Sequence, residues 1–252
     1  MDARSIKYSK DEDLSEDGLL ELLIHGAILS SELIPWGSNY NFLLDIEGRP
    51  AVKVKAIYKP QAGESPLIDF PIGTLYKREY ATYVVSKALG WPHVPPTVIR
   101  EGPHGIGSIQ LFIDAYPQPN YFTLRDDHSE VFKQIAIFDI LINNADRKAG
   151  HCLLGRDNKI WIIDHGLTFN QIFNLRTVIW DFCGHPVPAP LVKNLESLLK
   201  LLSIPSQLTE DLRQVLTESE IKALMRRLHL ILGNPVFPNH DPFRRDVPWP
   251  WL

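Results

Sequence analysis

Asp146-Arg147-Lys148-Ala149-Gly150-His151-Cys152-Leu153 is followed by Ile162-Ile163-Asp164-His165-Gly166-Leu167. The first run sets an acid beside a base, after an apolar stretch and before a turn. The second sets an acid at the end of an apolar strand, with a glycine two residues on. Phosphoryl transfer asks a protein for cations on the phosphates, acids to hold Mg²⁺, and a carboxylate near the acceptor hydroxyl. Two acids placed this way supply the last two: Asp146 at the acceptor, with Arg147 beside it to pair with a carboxylate and orient the loop, and Asp164 on the metal. His151 is read as a metal or phosphate ligand, or as a histidine hydrogen-bonded to Asp146 or Asp164. Mg²⁺ prefers oxygen ligands, which makes imidazole an unusual choice for it.

Upstream of these runs the pattern is that of a β sheet. A short acidic helix over Asp13 to Leu23 leads into Gly26. Strands are expected at Ala27 to Ile34, Asn41 to Ile46 and Ala51 to Tyr58, around the turns Pro35-Trp36-Gly37-Ser38-Asn39 and Glu47-Gly48-Arg49-Pro50. In the third strand Lys53, Lys55, Ile57 and Lys59 share one face, and Val52, Val54, Ala56 and Tyr58 the other. Thr74 to Leu89 reads as a helix closed by Gly90 and Pro92. Val94 to Ile99 is extended, and a glycine-rich turn, Gly102 to Gly107, joins it to a strand over Ser108 to Ile113. The expectation up to about residue 115 is a five-stranded antiparallel sheet with one helix.

Downstream the character changes. A connector covers Tyr116 to Asp127, and Ser129 to Asn143 is a strongly apolar helix. After the Asp146 loop comes a hairpin, Cys152 to Leu154 against Ile160 to Ile163. The chain is irregular from Asp164 through Pro190. The tail is helical over Pro190 to Leu202, Leu208 to Leu216 and Thr217 to Leu232; the last opens with a capping box, Thr217 with Glu220. The last twenty residues, proline- and aromatic-rich and including Pro248-Trp249-Pro250-Trp251, are expected to pack as an extended strap. The fold class is α+β, with a β lobe over residues 1–115 and a mainly helical lobe over 116–252. That layout suits a nucleotide cleft between a small β lobe and a larger α lobe.

The whole chain narrows the function. It has 252 residues, 44% of them hydrophobic, enough for a full core. With 26 basic and 30 acidic residues the net charge is -4, against a chain-wide nucleic-acid footprint. The two cysteines, Cys152 and Cys183, make neither a disulfide framework nor a zinc pair, and Cys152 is expected to be a buried thiol. His165 and His185 beside His151 lack the HExxH or cysteine partners of a zinc centre. No apolar run approaches the ~20 residues of a membrane span. A cytoplasmic location is the expectation.

A phosphate-binding lysine usually sits on the third strand, held by a glutamate from the next helix. Lys59 and Glu79 fit that pair; Lys53 and Lys55 are competing lysines, and Glu64 is a second possible partner. Ser38 and Asn39, in the first turn, are candidates to cover phosphates through backbone N–H groups. Neither GxGxxG nor GxxxxGK[ST] occurs.

With these residues in place the chain resembles the phosphatidylinositol 3-/4-kinase superfamily, closest to the type II phosphatidylinositol 4-kinases and small bacterial proteins like them. The matching segments are collinear: Tyr58-Lys59-Pro60 and Gly63-Glu64-Ser65-Pro66; Arg78-Glu79-Tyr80-Ala81-Thr82-Tyr83; Leu89-Gly90-Trp91 with Val94-Pro95-Pro96-Thr97; Gly107-Ser108-Ile109-Gln110-Leu111-Phe112; Asp139 to Arg147; and Ile163-Asp164-His165-Gly166-Leu167. The resemblance implies a bilobal kinase-like fold and the use of ATP with Mg²⁺ or Mn²⁺. It implies Lys59 on the ATP phosphates, Glu79 as its helix partner, and Gln110 to Asp114 as the hinge, with Gln110, Phe112 and Ile113 beside adenine. Asp146 falls on the catalytic-loop aspartate and Asp164 on the metal-binding aspartate. The family's loop usually has asparagine at the position of His151. The cysteine cluster that anchors the eukaryotic type II enzymes to membranes is missing between Lys59 and Glu79. The hydroxyl acceptor is left open as an inositol lipid, a protein or a small molecule. An atypical serine/threonine protein kinase of the same fold and a nucleotide-binding pseudokinase with a regulatory role are the alternatives.

Overall fold

The computed structural model describes residues 14–35, 37–48, 52–241, 243 and 245–252. Five expected features touch other residues: the start of the first helix at Asp13, Trp36 in the first turn, Arg49-Pro50 in the second, Ala51 at the start of the third strand, and Pro242 and Arg244 in the strap. These lie outside the described residues. Contacts divide the chain into two compact units: residues up to Tyr80 with Pro95–Asp114, and Ala81–Val94 with Ala115–Leu252. The sequence reading kept all of 1–115 in the first lobe, whereas the packing counts Ala81–Val94 with the second.

The first unit is built on a five-stranded sheet in the order β1-β2-β3-β5-β4, with every neighbour antiparallel. Its strands are β1 (Ala27–Ile34), β2 (Asn41–Glu47), β3 (Lys53–Pro60), β4 (Thr97–Gly102) and β5 (Gly105–Leu111). The alternation expected of the third strand is present, with Val54, Ala56 and Tyr58 buried between more open lysines. One face of the sheet joins Leu44, Ile46, Val54, Ala56, Tyr58, Val98 and Ile109 in a core closed by Leu22 and Leu23 of α1 (Glu16–His25). Ser15 caps α1, accepting from Gly18 N at 3.2 Å. One turn is shorter than expected. The β4–β5 turn is only Pro103-His104, since Gly102 already pairs with Gly105, so the expected six-residue turn is mostly strand. Pro60 is the last residue of β3, paired with Gly107. That pairing needs glycine: a Cβ at 107 would lie 2.5 Å from the Lys59 carbonyl oxygen and 2.7 Å from Pro60 Cα.

Helix α2 (Leu75–Leu89) follows. Its N-terminus is satisfied from a distance, by Glu64, whose Oε1 accepts from Tyr76 N at 2.8 Å.

In the second unit a short helix, α3 (Tyr121–Leu124), interrupts what the sequence showed as a plain connector. Helix α4 (Ser129–Ile142) buries Phe132, Ile135, Phe138, Leu141 and Ile142 and stops at Asn143, which turns left-handed (φ 55°). The hairpin β6 (Cys152–Leu154) and β7 (Ile160–Ile162) comes next. Helices α5 (Ala189–Leu202), α6 (Gln207–Val215) and α7 (Glu218–Gly233) complete the unit. The capping box at α7 forms as expected, with Thr217 N donating to Glu220 Oε2 at 2.8 Å and Glu220 N to Thr217 Oγ1 at 3.3 Å. Beyond α7 the described residues run without helix or strand. Among the described residues of the chain no helix is long and apolar enough to cross a membrane.

Candidate active site

In the first unit, β3 ends by placing Lys59 on the face away from α1. There its ammonium forms an ion pair with Glu79 of α2, whose side chain is only 2% exposed. A carboxylate that deep is tolerable because the ammonium neutralises it. The rival lysines are engaged elsewhere: Lys53 with Glu47 at 3.3 Å and Lys55 with Asp45 at 3.6 Å, both across to β2. Glu64, the rival carboxylate, caps α2, and burial pushes its carboxyl above the usual range despite the backbone N–H groups around it.

Other expected nucleotide contacts carry structural duties in this unit. The carbonyl oxygen of Ser38 accepts from Ser65 Oγ at 2.5 Å, and Asn39 Oδ1 accepts from Ser65 N at 2.8 Å, fixing the β1–β2 turn to residues 63–65. Gln110 is buried within β5, and its amide donates to Thr97 Oγ1 at 2.9 Å. Phe112 and Ile113 follow the strand and are half-buried; Phe112 N donates to the Lys55 carbonyl at 2.9 Å.

In the second unit the loop after α4 is held by buried polar groups. Asn144 Nδ2 donates to Asp139 Oδ1 at 2.9 Å, and Asn144 Oδ1 accepts from Asp146 N at 3.0 Å. Asn143 donates to the carbonyls of Asn170 (2.9 Å) and Ile172 (2.8 Å). At the centre is Arg147, fully buried with Asp139. Its Nε and Nη2 reach the two Asp139 oxygens at 2.9 Å each. Its Nη1 donates to the Ile163 carbonyl at 3.1 Å, and its Nη2 lies 2.8 Å from His165 Nε2. One guanidinium therefore ties the loop carrying Asp146 to the strand end carrying Asp164. Unlike Asp146 beside it, Arg147 faces the interior, its side chain fully buried.

Asp146, His151 and Asp164 come together here, with one ligand atom from each lying within 4.8 Å of the others. Asp164 is half exposed and holds a left-handed backbone (φ 62°), uncommon outside glycine but best tolerated by Asn and Asp. Lys148 Nζ lies 3.3 Å from Asp146 Oδ2. Burial raises the Asp146 carboxyl above its ordinary range; Lys148 pulls it down, and the nearby Asp164 pushes it up again. His151 Nδ1 accepts from Lys148 N at 3.4 Å, so in the neutral ring Nε2 carries the proton, and Nε2 faces Asp164 Oδ2 at 3.4 Å. Two carboxylates, open on the Asp164 side and flanked by the imidazole, are a donor set suited to a divalent cation completed by water. Cys152 is fully buried, and burial pushes its thiol up to about 12, leaving it inert.

Two contributors escaped the sequence reading. Lys148 is one; its spacing two residues after Asp146 was the available signal. Asp139 is the other, visible in the sequence as an acid interrupting the apolar run Ile135 to Ile142 and as the first residue of the matching segment Asp139 to Arg147.

The model of the phosphatidylinositol 3- and 4-kinase family matches residues 76–233. Protein Rv2133c of Mycobacterium tuberculosis (strain ATCC 25618 / H37Rv) is 38% identical over 229 residues, covering 77% of this chain and 81% of that protein. Phosphatidylinositol 4-kinase gamma 4 of Oryza sativa subsp. japonica is 31% identical over 122 residues, 41% of this chain and 22% of the rice protein. Among solved structures, the Golgi casein kinase with Mn/ADP bound superposes with a TM-score of 0.54 at 17% identity, covering 91% of this chain and 80% of that one. That likeness shows the fold, a bilobal α+β kinase fold. The length of the family match and the extent of the mycobacterial similarity place this chain in the phosphatidylinositol 3- and 4-kinase family.

Proposed function

We propose that the protein is an ATP- and divalent-cation-dependent phosphotransferase that moves the γ-phosphate to a hydroxyl acceptor. The observation that carries this reading is the gathering of Asp146, His151 and Asp164 on one small surface, with Arg147 locking the two acid-bearing segments together. Lys59, steadied by Glu79, contributes a fixed positive charge for the nucleotide phosphates. Asp146 orients the acceptor hydroxyl and takes its proton; a carboxyl already shifted upward is the better base near neutral pH. Lys148 offsets charge beside it. Asp164 is the principal metal ligand, and His151 steadies it by donating from Nε2. Bound Mg²⁺ or Mn²⁺ would supply charge neutralisation at the transferring phosphate. Ser38 and Asn39 remain candidates for phosphate contact through their N–H groups. The segment after β5 remains the candidate adenine contact, through Phe112 and Ile113 rather than the buried side chain of Gln110. Family membership favours an inositol lipid as the first acceptor to try.

One observation favours a second reading. Histidine in place of the family's usual asparagine, with its Nε2 turned toward Asp164, also fits a nucleotide-binding regulatory module without turnover. Purified protein incubated with γ-labelled ATP and Mg²⁺ or Mn²⁺, alone and with inositol lipid vesicles or a protein acceptor, separates the readings. Label on lipid or protein, lost in Asp164→Ala, supports the enzyme. Thermal stabilisation by ATP without transfer under either metal supports the module.

A further inference from the structure

The turn Ala149–His151 is a single turn of 3-10 helix. Ala149 is fully buried, so its N–H must find a protein acceptor. The acceptor is the carbonyl of Trp251, 2.8 Å away in the last stretch of the chain. A second contact brackets the same loop. The Asp246 carbonyl accepts from Thr177 N at 2.9 Å and from Trp180 Nε1 at 3.3 Å. Thr177 in turn bridges to Arg147, whose own N–H and carbonyl bond Arg176 (3.0 Å) and Val178 (3.1 Å). The strap thus grips the loop on both sides of Lys148.

The strap has a fold of its own. Asp246 is only 8% exposed, and its Oδ2 lies 2.5 Å from His240 Nδ1 and accepts from Asp241 N at 3.0 Å. Farther back, Phe237 N donates to the His185 carbonyl at 2.9 Å, and Val236 bridges to Pro186. The grip on Ala149 comes from a main-chain carbonyl, and the Trp251 side chain is 51% exposed.

We propose that residues 246–251 are a positioning segment of the active site, the Trp251 carbonyl holding the Ala149–His151 turn and, through it, the imidazole that faces Asp164. The proposal rests on the reading of Asp146 and Asp164 given above. The path is short: Trp251 O to Ala149 N, Lys148 N to His151 Nδ1, and His151 Nε2 to Asp164 Oδ2. When a group that orients a metal ligand is lost, metal affinity typically falls about 10–100-fold.

Three variants test this. One ends the chain after Pro248. Ala149→Pro removes the N–H that donates to the strap and adds a small ring in its place; Lys148 is extended (ψ 161°), which suits a following proline, and proline is at home in the first position of a helical turn. Trp251→Ala keeps the carbonyl. The readouts are the Mn²⁺ binding midpoint of the purified protein, amide exchange over residues 148–153, and the phosphotransfer rate. Truncation and Ala149→Pro should each weaken Mn²⁺ binding about 10–100-fold and speed exchange, while Trp251→Ala changes neither. Truncation and Ala149→Pro that keep the full chain's midpoint and exchange would overturn the proposal. So would truncation that lowers the melting temperature but leaves Mn²⁺ binding by the folded protein unchanged. A full chain that binds Mn²⁺ but transfers no phosphate would sink the enzyme reading alone, because the midpoint and the exchange still judge the strap.

Discussion

Arg147 and Asp139, both fully buried, face each other through two hydrogen bonds of 2.9 Å. A buried pair of this kind is expensive to break from one side, because the survivor is left charged and dry. Asp139→Ala or Arg147→Ala should each cost about 3–5 kcal/mol, read as a lower urea midpoint. Asp139→Leu with Arg147→Met should recover part of that stability without recovering activity, since the links from Arg147 to Ile163 and His165 are gone as well.

Lys59 and Glu79 act as a unit in this account. Lys59→Met should lower transfer about 10²–10³-fold while leaving the circular dichroism spectrum unchanged. Glu79→Gln should cost less. The double variant should lose no more than Lys59→Met alone, because the second change removes only what held the lysine. Additive losses in a double-mutant cycle would mean that the two residues act separately.

In the proposed role of Asp146, function opposes stability. Its carboxyl lies above its ordinary range chiefly because it is buried. Between the ordinary carboxyl value and the raised one, the folded protein binds a proton that the unfolded chain has released. Unfolding stability from this group therefore falls as pH rises through that window, and stays lower above it. Measured without divalent cation, Asp146→Asn should be more stable than the parent at neutral pH, by on the order of 0.5–2 kcal/mol. The advantage should vanish in acid. The same variant should lose about 10²–10⁴-fold in transfer.

The fold was legible where a pattern is local. Alternation in Lys53–Pro60 identified β3, and the Thr-Glu spacing at 217 and 220 identified the start of α7. Where glycine replaced apolar residues, alternation failed, so Gly105 to Gly107 read as turn although they are strand. Among the candidate residues, Asp146, Asp164, Lys59 and Glu79 were each named from a recognisable place in an element. The bonds that position them could not be named in this way. Asp139 to Arg147, Asn143 to Asn170 and Trp251 to Ala149 join residues with no shared periodicity, and the last uses main-chain atoms alone.

His151 distinguishes a metal ligand from a metal-ligand positioner. In this account it donates to Asp164, so His151→Ala should weaken Mg²⁺ and Mn²⁺ activation equally, by about 10–100-fold. His151→Asn, which can still donate, should retain most activity. A loss confined to Mn²⁺, which accepts imidazole more readily than Mg²⁺ does, would instead make His151 a direct ligand.

The most direct test of the central claim is transfer of label from γ-labelled ATP, compared between the parent chain, Asp164→Ala and Asp146→Asn in the presence of Mg²⁺ or Mn²⁺. Label is expected on a hydroxyl acceptor with the parent, and loss of that label in both variants. Binding of ATP by the parent without transfer to any acceptor under either metal, or transfer undiminished in Asp164→Ala, would contradict the claim.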